Sequence, residues 1–453
     1  MAFSNKTEGI ASFQTDQTEM SETCLDIYSP PIVENELLEG KDLIIYPNQS
    51  ITDEGPYEFI IQSSGEEYLH MPSTRLHMCF SIQKLGEDGV LASAGNSEDY
   101  SVVNLTGNSL FKQIEVTVCN TPVVDQSTTT YSYKALLDTL LSYGREAKST
   151  HLKTAMFYKD GAGTENKNEF VAPDTQSGYV LRKKSVKNSK RCHITTQLHC
   201  DFMNCPRLLL PGCNVKILLS RQSDDFCLLT KDTAKKYKIK IHELKLSLRK
   251  VKVSPVRLKM HMDQIQTTDA LYPFRQTRIT THLLANGTPS KNIEDLVRGP
   301  LPQQIFCCMV DAANYTGSPT TNPFQFQNFG LNSWVFKVNG VNNPTSAFQP
   351  DFAADNYFRE YQNLMDCIGV AKENGGVDFN PSEFKNGNMI LAYDSSADRC
   401  NSYHTHTLKT GVIGAELAFK TPLVKPVQLI VYSVYHMMLK VDKDRNAKMD
   451  YVV

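Results

Sequence analysis

The chain writes one architecture twice, and that duplication limits what it can fold into more than any single residue does. A strand-rich half with one short amphipathic helix is followed by a second half of the same kind, the helices lying roughly half the chain apart. The first helix is expected over 133–143, where Leu136, Leu137, Leu140 and Leu141 share a face and Gly144 follows as a stop. The second is expected over about 355–368, where Tyr357, Tyr361, Leu364, Met365 and Ile368 repeat the helical period and Gly369 closes it.

At 453 residues the chain is too long for one ordinary core and suits two domains of roughly 200 residues each. Its 41% hydrophobic and 21% charged residues exclude a wholly disordered chain, and abundant Tyr, Phe and Thr beside one Trp lean towards β structure. The net charge of −2 argues against a general nucleic-acid binder, since backbone recognition needs a surplus of Lys and Arg on one face. The longest apolar run, 429–439, is interrupted by Ser433 and His436 and falls short of a membrane span. The N-terminus lacks a basic segment followed by an apolar one, so synthesis in a reducing cytosol is expected. In that compartment the 12 cysteines are expected to act as small buried hydrophobes.

Residues 1–40 carry Glu8, Asp16, Glu19, Glu22, Asp26, Glu34, Glu36 and Glu39 against Lys6 alone, which reads as an acidic arm over 1–35. Strands are then expected at 43–46 and 58–61, and in the alternation of Leu76, Met78, Phe80 and Ile82 with His77, Cys79, Ser81 and Gln83. More follow at Ile114, Val116 and Val118, at 194–202 and at 215–219, the last two separated by the turn at Pro211 and Gly212. In the stretch 237–253 the apolar phase is odd at Ile239 and Ile241, even at Leu244, Leu246 and Leu248, and odd again at Val251 and Val253. Each slip predicts a β-bulge in one long strand. The domain boundary is expected just before it, in the Lys-rich 231–236, giving domains of 36–236 and 237–453. The second is expected to hold strands at 277–284, 304–310, 333–338, 389–393, 411–419 and 427–441. Short strands, long loops and little helix are the pattern of an all-β, jelly-roll type sandwich.

Chemistry is sparse. His404 and His406 form a His-x-His pair, but a cupin-type metal site needs an acid three or four residues on, and the next is Glu416; a solvated loop fits better. Asp442, Asp444 and Asn446 imitate the start of an EF-hand, yet Ala447 stands where Gly is required and Val453 where a bidentate Glu is required, so a solvated charge cluster is expected. Cys192, Cys200, Cys205 and Cys213, with His193 and His199, lack paired zinc knuckles, and neighbours such as Cys192 and His193 point to opposite faces of a strand. Arg182, Lys183, Lys184, Lys187, Lys190 and Arg191 read as a solvated surface loop, with nuclear import as the alternative. No P-loop, His-Glu-x-x-His or Gly-x-Ser-x-Gly is present, so no residue is assigned a catalytic, cofactor or metal role.

One set of segments carries a family resemblance: Leu301-Pro302, Asn322-Pro323-Phe324 with Phe326 and Phe329, Trp334 to Gly340, and Phe348-Gln349-Pro350-Asp351-Phe352. Arg359-Glu360-Tyr361, Val441-Asp442 and Arg445-Asn446 complete it. In this order and spacing they resemble the major capsid proteins of Polinton (Maverick) elements and adintoviruses, of the double jelly-roll capsid lineage. The resemblance is specific over 237–446; the first half matches in layout, and the acidic arm does not match. It implies a tandem double jelly roll, two eight-stranded antiparallel sandwiches with short helices in the loops. It further implies homotrimeric, pseudo-hexameric capsomers building an icosahedral shell, without catalysis. The implied partners are the chain itself, a single jelly-roll penton protein and, during maturation, a viral cysteine protease acting on other components, with no sequence-specific nucleic acid. The implied place is the virion capsid, made in the host cytosol and assembled in the nucleus if the basic run acts in import. The rival readings are a carbohydrate-binding or attachment module and, behind it, a cupin-like metal enzyme at His404 and His406.

Overall fold

The computed structural model describes residues 35–452, apart from 64, 87–88, 96–97, 125–129, 161–177, 231–234, 373–374, 398 and 400–405. Residues 1–34 of the acidic arm, and His404, therefore lie outside the described residues.

Strands come in two runs. The first is β1 (Leu37–Ile45), β2 (Tyr57–Ile61), β3 (Glu67–Leu85), β4 (Leu91–Ser93), β5 (Tyr100–Val102), β6 (Phe111–Val118), β7 (Thr121–Pro122), β8 (Cys192–Gln197), β9 (Val215–Arg221), β10 (Leu228–Thr230) and β11 (Lys236–Val253). The second is β12 (Ala270–Leu284), β13 (Ser290–Pro300), β14 (Gln304–Asp311), β15 (Leu331–Val338), β16 (Val341–Phe348), β17 (Ile390–Asp394), β18 (Thr410–Phe419), β19 (Val427–Val441) and β20 (Ala447–Tyr451). All named pairings are antiparallel.

In the first run one sheet is ordered β1-β11-β3-β8 and the other β2-β9-β6-β7; in the second run they are β12-β19-β14-β17 and β13-β18-β15-β16. Taking the principal strands of each run in chain order, first pairs with last, last with third and third with sixth, while the facing sheet joins second, seventh, fourth and fifth. The same winding thus occurs twice, and it is the jelly roll: the fold is all-β, a double jelly roll with short helices in its loops. Four helices lie in the loops, α1 (Tyr131–Ser142), α2 (Gly178–Val186), α3 (Pro255–Gln264) and α4 (Phe358–Ile368), and the duplication extends to α1 and α4, which both lie in the connection from fifth to sixth principal strand.

The strand β11 holds the first unit together. Tyr237, Ile239, Ile241, Leu244, Leu246, Leu248, Val251 and Val253 are all buried. Its register against β3 slips between Ile241 and Glu243 and between Ser247 and Arg249, so His242 bulges out and the apolar phase changes where the sequence changes it. Because β11 pairs with β1 and β3, a boundary at 231–236 would strip the first sheet of its central strand; the hydrogen bonds place this strand with the unit before it. We place the division instead at Ser254, which caps α3 by accepting from the Arg257 amide. Beyond Leu246 the β11 edge has no β1 partner, and side chains close it at Ile239: Arg221 donates to the Ile239 carbonyl at 2.7 Å and Asp224 accepts from its amide at 3.3 Å.

Several local expectations shift. The helix α4 ends as expected, with Gly369 left-handed at φ 83°, but α1 ends at an extended Tyr143, and Gly144 is extended too, so it is not the stop. The strand expected over 194–202 ends at Gln197, and Asp201–Asn204 forms a 3₁₀ turn. The basic run is solvated only in part: Lys184, Lys187, Lys190 and Arg191 are exposed, but Arg182, Lys183 and Lys184 lie in α2 rather than a loop, and Arg182 is fully buried, its guanidinium 2.6 Å from Asp160. The acidic trio near the C-terminus closes the β19–β20 turn, Asp442 accepting from the amides of Asp444 (2.9 Å) and Asn446 (2.8 Å).

Candidate functional site

Among the described residues no group of three or more His, Cys, Asp or Glu side chains converges as a metal site would require. His406 lies near His436, whose ring is held neutral down to about 4 by burial, with Arg275 and His406 adding to the effect. Cys200, Cys205 and Cys213 are buried thiols and Cys192 is half-buried. The concentration of unusual chemistry lies elsewhere, in the seam where the two sandwiches meet.

The helix α1 builds that seam. Its leucine face packs inward, Leu136, Leu137 and Leu141 being buried, and this turns Tyr133, Lys134 and Asp138 towards the second unit. The Lys134 ammonium sits 2.8 Å from Asp138, one helical turn on, and 2.8 Å from Asp201, in the turn after β8. His199 approaches Asp138 at 3.3 Å. From the other sandwich, the Thr277 amide on β12 donates to Asp201 at 2.8 Å and the Tyr432 hydroxyl on β19 donates to Asp138. Thr277 Oγ1 also reaches the Tyr432 hydroxyl at 3.2 Å.

One buried cation therefore serves two carboxylates, and each carboxylate is also bonded by the opposite unit. Burial would raise the Asp138 carboxyl, but Lys134 and His199 overcome it and hold it well below the usual carboxylate range. Asp201 goes the other way: burial raises it and Lys134 offsets only part. Lys134 is itself held above its ordinary value because the two carboxylates outweigh its desolvation.

Around this cluster the units interlock through rings. Tyr133 stacks on Tyr315 with centroids 5.4 Å apart and meets Phe324 edge-on at 5.6 Å, and its hydroxyl donates to the Pro323 carbonyl at 3.2 Å. Phe202 meets Phe274 edge-on at 5.4 Å. Further out, Arg445 donates to the Pro211 carbonyl (2.8 Å), Thr121 to the Ala447 carbonyl (2.7 Å), and Lys159 pairs with Asp378 and Glu383. A cavity of about 50 Å³ remains in the seam, lined by Lys148, Lys159, Asp160, Asn322 and Asp378 among others. Lys148, which donates to the Leu140 carbonyl at 3.1 Å, is pushed down to about 8 by burial, which Asp378 only partly offsets.

This arrangement does mechanical work: it fixes two sandwiches side by side in one register. Sequence reasoning missed it. Lys134 and Asp138 were visible as an i,i+4 pair on a leucine-rich helix, but their partners lie 67 and 294 residues away.

No family model matches the sequence. A Caenorhabditis elegans protein, itself uncharacterised, is 22% identical over 413 residues, which cover 88% of this chain and 94% of that protein. Among solved structures, the cryo-EM structure of the Sputnik virophage contains a chain with TM-score 0.60 at 11% identity, over 100% of this chain and 95% of that one. The PBCV-1 virus capsid gives TM-score 0.56 at 10% identity (94% and 100%), and the Faustovirus major capsid protein 0.53 at 10% (94% and 93%). These neighbours are double jelly-roll viral major capsid proteins, and the likeness establishes that this chain has their fold.

Two outcomes test the seam. Replacing Lys134 by Ala strands two buried carboxylates and should cost about 3–5 kcal/mol in chemical denaturation. The triple change Lys134→Met, Asp138→Asn, Asp201→Asn should recover most of it; an unchanged denaturation midpoint for Lys134→Ala would contradict the cluster's role. For Lys148 the folded value lies below the unfolded one, so the unfolded chain binds more protons between them and stability rises with pH in that window. From pH 8 to 10.5 the gain should reach up to about 3 kcal/mol and vanish in Lys148→Met, as pH-dependent melting would show.

Proposed function

We propose that this chain is the major capsid protein of a Polinton-like or adintovirus-like DNA virus or element, a structural protein without a catalytic role. The observation that carries the reading is the duplicated winding fused across a buried seam. A rigid pair of sandwiches is a building block for a closed ring, and three such pairs give a pseudo-hexagonal capsomer with cyclic symmetry. The fold shared with viral capsid proteins supports this.

In this reading the homotrimer tiles an icosahedral shell, a single jelly-roll penton protein fills the fivefold vertices, and the acidic arm 1–35 acts beneath the shell. The protein is made in the host cytosol and ends in the virion. Exposed large apolar residues, Leu38, Ile44, Tyr46, Val256, Val341 and Phe358, supply surface for packing between subunits.

Light scattering on the purified protein should give about three times the 50.9 kDa subunit mass, unchanged on dilution. A chain lacking residues 1–35 should keep that mass and lose shell formation. A wild-type mass of one subunit would overturn the capsomer, and undiminished shell formation without the arm would overturn the arm's role.

A further inference from the structure

Two cysteines distant in the chain, Cys119 and Cys213, meet at the outer edge of the seam. The β6–β9 ladder ends with Val118 opposite Val215, and the Cys119 amide extends it by donating to the Asn214 carbonyl at 2.9 Å. The chain then turns into β7 through Cys119 and Asn120, both left-handed at φ 49° and 65°. In that turn the Cys119 side chain lies against Cys213, whose thiol donates a hydrogen bond to it. The second unit reaches the same place through Arg445, in the turn between β19 and β20. Arg445 donates to the Pro211 carbonyl at 2.8 Å and to the Met262 sulfur at 3.4 Å, and it lies against Gly212, where a Cβ would stand 3.2 Å from its Nε. Its Nη1 is buried with no hydrogen-bond partner among the described residues, and its charge acts on both thiols.

The two thiols differ in kind. Cys119 is half-buried, and the hydrogen bond from Cys213 holds its thiol below the ordinary range; the Asn214 backbone and Arg445 add to this, against burial and Asp442. Cys213 is fully buried and goes the other way, raised by the same hydrogen bond and by burial. All other described cysteines are raised as well, with burial as the first cause. An accessible thiol that ionises readily, in contact with one that does not, is the arrangement of an attacking and a resolving cysteine.

We propose that Cys119 and Cys213 form an oxidation site that closes as an intrachain disulfide when the chain meets a small-molecule disulfide of the glutathione class. The Cys119 thiolate attacks one sulfur of glutathione disulfide, forming a mixed disulfide and releasing one glutathione. The Cys213 sulfur then attacks Cys119, the protein S–S bond forms, and the second glutathione leaves. The protein loses two hydrogens and two electrons, and the two glutathione thiols carry them away. The bond joins the β6–β7 turn to the entry of β9 beside Arg445, so the part of the first unit that the last turn of the second unit grips becomes covalently fixed. The inference rests on the capsid reading only for its timing: open thiols in the reducing cytosol of synthesis, and a closed bond in the particle outside.

The test incubates the full chain with glutathione disulfide at pH 7 and maps its peptides without reductant. One new linkage should appear, joining Cys119 to Cys213, and the closed form should melt about 5 °C higher. Cys213→Ala should stop halfway, with one glutathione on Cys119, while Cys119→Ser should carry none on Cys213. Arg445→Gln should close about tenfold more slowly at pH 7 and as fast as wild type at pH 10, where the Cys119 thiol ionises without help. Thiols that stay unlinked, or a bond from Cys119 to another cysteine, would overturn the site; an unchanged rate in Arg445→Gln at pH 7 would overturn the arginine's part in it. A monomeric chain that still closes the bond would remove the capsomer and keep this site, and a trimer whose two thiols stay apart would do the reverse.

Discussion

Everything outward in this molecule depends on one buried cation between two carboxylates at the junction of its sandwiches. Two β-sandwiches in tandem can hang on a linker and swing, or they can fuse. Lys134, Asp138 and Asp201 decide for fusion because none of them can be left without its partners once buried, and two of the required donors, Thr277 and Tyr432, belong to the other unit. Stacked rings around Tyr133 supply area, but area alone tolerates sliding. The ion cluster does not, since a shift of one residue along β12 would take the Thr277 amide away from Asp201.

Fusion converts a repeated fold into a directional object. The same winding, with a helix in the same connection, occurs twice, yet the first helix is buried along most of its length while the second leaves Phe358, Arg359 and Gln362 exposed. The asymmetry is not in the fold of either unit; it arises because a linear array of two units has two ends. An object of this kind presents two different flanks, and the proposed capsomer uses them to close a ring. The capsid reading draws on that geometry and on the fold shared with viral capsid proteins.

Much of the fold was legible in the residues. The phase slip from Ile241 to Leu244 marked the bulge at His242 because burial on one face leaves an extra residue nowhere else to go. The leucines of α1 and the glycine after α4 marked both helices. Other elements left little periodic trace. The strand β1 was legible only at its end, 43–45, and the rest is exposed and exists because β11 pairs with it; β16 and β20 are mostly exposed or half-buried edges of the same kind. The domain boundary failed for a related reason: a run of lysines looks like a linker, while the need of a jelly roll for its last strand is a topological fact no local pattern carries. The seam was the least legible part, because Asp201 and Tyr432 are unremarkable alone and acquire meaning only when the chain brings them to Lys134 and Asp138.

The most direct test of the account is electron microscopy of the assembled protein. It predicts closed shells tiled by capsomers of threefold symmetry, each resolving into six upright sandwiches in three fused pairs. Dispersed single subunits under every assembly condition, or particles whose two sandwiches sit at variable angles, would contradict it.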